Sequence, residues 1–89
     1  MDRKHNRMTE GNVYFFTLPQ NQDKANVSEA VNNALLKHRC GRVVGSGISL
    51  FNDSSVTIEI VTSDRHTANE AIVRACRKLE CRDFDIVWD

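Results

Sequence analysis

The chain has 89 residues, with 12 Lys+Arg against 12 Asp+Glu and a formal net charge of zero. One domain of this size buries a single small core, which leaves little for a deep, walled active site. With 40% hydrophobic residues, a single Pro and no basic surplus, it reads neither as a disordered tail nor as a protein that tracks nucleic-acid phosphates.

Met1 to Gly11 carries Arg3, Lys4 and Arg7 and little that is apolar, so residues 1–11 are expected to be a solvated tail before a domain over 12–89. Val13 to Leu18 is a β-branched and aromatic run stopped by Pro19, which predicts a first strand. Both of its alternating sets, Val13/Phe15 and Tyr14/Phe16/Leu18, are apolar, as expected of a central strand covered on both faces.

Asn26 followed by Glu29 resembles a capping box. From there Val27, Ala30, Val31, Ala34 and Leu35 form one helical stripe, and Gly41 is expected to end the helix. Arg42 to Phe51 predicts a second strand, weakened by Gly45 and Gly47, in which strict alternation puts Val43, both glycines and Phe51 on one face. The turn cluster Asn52 to Ser55 sends the chain back antiparallel as a third strand, Val56 to Thr62. Thr67 and Glu70 form a second capping box before the stripe Ala68, Ala71, Ile72, Ala75, Cys76 and Leu79. Asp83 to Asp89 closes the chain as a fourth strand.

The order βαββαβ, with one apolar stripe per helix, resembles the ferredoxin-like α+β plait. That resemblance implies a four-stranded antiparallel sheet in order 4-1-3-2 with two helices on one face, and it makes the first strand central. It is a likeness to a fold, and a fold of this kind licenses no function.

The activities best known for such plaits are not written in the residues. The loop after the first strand, Pro19 to Gln22, has neither the Arg nor the glycines of an acylphosphatase cradle, and no Cys precedes Cys40 to make a copper-binding Cys-x-x-Cys. The third strand lacks the aromatics on which RNA-recognition motifs stack bases. Gly45-Ser46-Gly47 lies inside a strand rather than before a helix, so it reads as a bulge or close-approach site and not as a phosphate loop.

Cys40, Cys76 and Cys81 leave one thiol unpaired in any disulfide scheme and do not fit zinc-ligand spacing. Reduced thiols in the cytoplasm, with no metal and no cofactor, are the expectation. Cys40 at a helix C-terminus is poorly placed to be a thiolate, and His66 beside Asp64 reads as a surface histidine. No apolar run approaches the about 20 residues of a membrane span, so no membrane partner is expected.

The basic clusters Lys37/Arg39/Arg42 and Arg74/Arg77/Lys78/Arg82 are expected at opposite ends of antiparallel helices as dipole-compensating ends, with no nucleic-acid partner. The functional expectation is a non-enzymatic interaction module, a homodimer or a binder of another protein. Its interface would lie on the open sheet face, with Val43, Gly45, Gly47, Phe51, Val61 and Val87. The alternative is a small-molecule-sensing domain resembling regulatory ACT-type plaits, with its ligand near Gly45 and Gly47.

Overall fold

The computed structural model describes residues 8–48 and 55–89. Its elements run β1 (Thr9–Phe15), α1 (Lys24–Lys37), β2 (Gly41–Gly47), β3 (Val56–Thr62), α2 (Arg65–Lys78) and β4 (Phe84–Trp88). The strands form one antiparallel sheet in order β2-β3-β1-β4, which is the ferredoxin-like plait with β1 and β3 at its centre.

The sheet is best read as rows of paired residues. On the helix-facing side Val43, Ile60, Gly11 and Trp88 make one row, and Ser46, Ile58, Val13 and Ile86 the next. Val56, Phe15 and Phe84 make a third, with the Phe15 and Phe84 rings 5.8 Å apart. Against these rows α1 presses Val27, Val31 and Leu35, and α2 presses Ala68, Ile72 and Cys76. Each fully buried aliphatic side chain here contributes about 1.5–3 kcal/mol.

β1 begins at Thr9, so Thr9 to Gly11 belong to the sheet rather than to a tail. The reason is Trp88: its ring lies directly over Gly11, where a Cβ would collide with it, and its indole N–H donates to Asn69 Oδ1 at 3.1 Å. The far end of β1 stops at Phe15 instead of Leu18; Phe16 still donates its N–H to the Asp83 carbonyl in register with β4, but β4 itself begins only at Phe84.

Both helices start earlier than the sequence pattern suggests. Asp23 caps α1 by accepting from the Asn26 N–H at 2.8 Å, and Asp64 caps α2 by accepting from the Thr67 N–H at 3.2 Å. Asn26 and Thr67 are thus the third residues of their helices, donors to the cap rather than caps. Both helices end in Schellman motifs, with Arg39 and Glu80 in the left-handed region at φ 53° and 60°. After each, a buried cysteine donates its N–H back into the last turn, Cys40 to Leu35 and Cys81 to Cys76. Gly41, expected to end α1, instead opens β2, where a side chain would strike the Val61 carbonyl.

Thr62 joins the two halves. Its buried hydroxyl donates to the Cys40 carbonyl after α1 and accepts from the Asp64 N–H before α2.

Candidate functional site

Both helices lie on one side of the sheet, so its other side is open. Three rows cross it. Arg42, Val61 and Glu10 form the first, and Gly45, Glu59, Asn12 and Val87 the second. Gly47, Thr57, Tyr14 and Asp85 form the third.

Four of the six residues expected at an interface therefore share this face: Gly45, Gly47, Val61 and Val87. Val43 does not. The register passes from Val43↔Ile60 to Gly45↔Glu59 and leaves Val44 without a partner, a β-bulge. One inserted residue resets the alternation, so Val43 turns inward against the core while the glycines face out. Its backbone N–H donates to Asn32 Oδ1 of α1 at 2.9 Å. Phe51 lies outside the described residues.

The open face is more polar than the apolar surface the sequence implies. Glu10 and Asn12 stand on it because β1 starts early, and Phe16 and Leu18 lie beyond the strand. The alternation of Gly11/Val13 with Glu10/Asn12 was the signal for both residues. The space that the missing side chain leaves over Gly45 is narrowed by the Glu59 carboxylate, which lies 3.2 Å from where a Cβ would sit. Two of the exposed large apolar side chains lie on and just after β2, Val44 at 50% and Ile48 at 68%, and a third, Leu36, lies on α1 at 52%.

The helix layer has a second concave surface. Between α1 and α2 runs a groove of about 370 Å³ lined by Ala30, Ala34, Ala71 and Ala75, with Lys37, His38, Arg74 and Lys78 around it. The helices are antiparallel, as the strand directions require, yet their C-terminal halves overlap. Lys37 of the first basic cluster therefore reaches the same groove as Arg74 and Lys78 of the second, while Arg42 lies on the open sheet face, and sequence spacing alone does not contain that overlap.

The thiols are poorly suited to nucleophilic work. Burial pushes the Cys40 and Cys81 thiols above their ordinary range and raises Cys76 to about 12, so all three are protonated at neutral pH. Asp64 is shifted the other way, held below the usual carboxylate range by the Thr67 hydroxyl, which donates to it at 2.7 Å, and by the Thr67 amide. His66 sits on the surface with Nε2 3.4 Å from Glu70 Oε2 one helical turn on. Among the described residues no three His, Cys, Asp or Glu side chains gather closely enough to hold a metal ion, and no helix is long and apolar enough to cross a membrane.

No protein-family model, no curated protein and no solved structure matches this chain.

Proposed function

We propose that this chain is a small, non-catalytic interaction module of the cytoplasm that pairs with a second copy of itself through the open face of its sheet. The observation that carries this reading is one-sided cover: both helices lie over one face, and the rows Arg42–Val61–Glu10 and Gly45–Glu59–Asn12–Val87 are left on the other. Gly45 and Gly47 add no side chains there, so a second sheet can approach closely. Tyr14 and Val61 are half-buried and Val87 is exposed, which gives the centre of the face an apolar part.

The charges suit a two-fold contact. In an isologous pair each patch meets its own copy, so Arg42 of one protomer can face Glu10 or Glu59 of the other. Both signs lie on one surface, and pairing it with itself brings unlike charges together.

Light scattering behind size exclusion tests this at micromolar concentration. The expected mass is twice the 10.1 kDa of the chain. Val61→Glu, which would force a carboxylate to be desolvated at the centre of the contact and would draw Arg42 away from the partner, is expected to return a folded monomer. A wild-type protein that runs as a monomer sinks the reading.

A further inference from the structure

The groove between α1 and α2 has a floor and a rim of different chemistry. Methyl groups of Ala30, Ala34, Ala71 and Ala75 are too short to fill the space above the helix contact, and they leave an apolar floor. Lys37 and His38 from α1 and Arg74 and Lys78 from α2 supply donors around it. Among the described residues no carboxylate lies within ion-pair distance of Lys37, Arg74 or Lys78.

A helix C-terminus ordinarily repels an anion through its open carbonyls. Here part of that end is closed. The Leu35 and Leu36 carbonyls accept from Cys40 and Arg39, and the Cys76 and Arg77 carbonyls accept from Cys81 and Glu80.

The geometry points to this groove as a binding site for a phosphate-bearing small molecule of about nucleotide size, its apolar body on the alanine floor and its phosphates on the rim. The volume falls in the range of roughly 300–1,000 Å³ that small-molecule sites occupy. Charge favours a compact ligand over a polymer. The opposite side of the molecule sets Glu10, Glu59 and Asp85 against Arg42, and the whole chain is neutral, so beyond the groove and the neighbouring Arg77 a long polyanion finds little basic surface to follow.

ATP is the probe, followed by amide chemical shifts and thermal melting of the full chain. Millimolar ATP is expected to move the amides of Ala34, Lys37, Ala71 and Ala75 and to raise Tm, with weaker effects from adenosine or inorganic phosphate alone. Added salt should weaken the effect. Arg74→Glu combined with Lys78→Glu, both on exposed positions, should lower ATP affinity about tenfold or more. Arg42→Glu on the opposite face should leave it unchanged, and so should Val61→Glu, which separates this site from the sheet-face pairing. Three results overturn the proposal: no groove shifts with ATP, equal shifts in the Arg74/Lys78 double variant, or inorganic phosphate acting as strongly as ATP. A single-stranded oligonucleotide that binds more tightly than ATP overturns it as well, in favour of a polymer.

Discussion

The two halves of the plait, β1-α1-β2 and β3-α2-β4, end their helices alike and build their outer strands differently. Each helix has 14 residues, closes on a non-glycine residue in the left-handed region and passes a buried cysteine into the core. The strands that follow part company. β4 sends Phe84, Ile86 and Trp88 under the helices, and Trp88 reaches both Gly11 and Asn69. β2 offers Gly41, Val43 and Ser46 on the same side, broken by the bulge at Val44. One edge is held by bulk. The other is held by backbone approach and by the Asn32 side chain on the Val43 N–H. An edge strand with a bulge and a covered N–H is also a poor template for unwanted strand addition. The proposed pairing accordingly uses the flat of the sheet rather than this edge.

Truncation breaks or sharpens the contrast most strongly. Trp88→Ala should cost about 3 kcal/mol, and Val43→Ala about 1 kcal/mol, in urea unfolding. Equal losses would mean that both edges are held by bulk. The glycines of β2 form the next test. Gly41→Ala drives a methyl group into the Val61 carbonyl and should cost about 2–3 kcal/mol, while Gly47→Ala meets open space and should stay within about 0.5 kcal/mol of wild type. A neutral Gly41→Ala would show that β2 can move away from β3 without loss.

Much of this architecture was legible in the residues, for identifiable reasons. Val27, Val31 and Leu35 recur at helical spacing, and Val56, Ile58 and Ile60 alternate, so element order and core follow from periodicity. The glycines of β2 signal a bulge or close approach, but not which residue is the inserted one. An inserted residue leaves the sequence pattern intact on either side of it, and no described glycine has a positive φ to mark the place. The interface residues inherited that blindness, which is why Val43 was expected beside Gly45 and lies opposite it. The helix starts were missed because Asp23 and Asp64 each stand three residues before a second good cap former. At the helix ends, Arg39 and Glu80 adopt a conformation that sequence preference reserves for glycine. The basic groove was hidden because it depends on how far one helix slides along the other.

The helix starts give a smaller, pH-dependent test of the same comparison. Asp23 receives the Asn26 N–H, whereas Asp64 receives both the N–H and the hydroxyl of Thr67. The Thr67 hydroxyl is the largest cause that lowers the Asp64 pKa from 3.8. A carboxylate whose folded pKa is depressed adds stability that is present above its unfolded value and lost as pH falls through the folded one. Thr67→Val should therefore melt below wild type at pH 6, and the gap should narrow as pH falls below about 4. A gap independent of pH would assign the loss to packing rather than to the cap.

The smallest expected effect concerns what the halves share. Arg39 and Glu80 hold a backbone conformation that costs a side-chain-bearing residue about 1–2 kcal/mol. Glycine removes that strain but gives the unfolded chain more freedom, which returns about 0.4–1 kcal/mol to the unfolded side. Arg39→Gly and Glu80→Gly should each stabilise by the difference, up to about 1 kcal/mol, and by similar amounts, since each residue makes the same turn into a buried cysteine. Urea midpoints measured at one pH decide it. If Glu80→Gly stabilises and Arg39→Gly does not, the Arg39 side chain makes a contact that offsets its strain. The helix ends would then differ between the halves as the outer strands do.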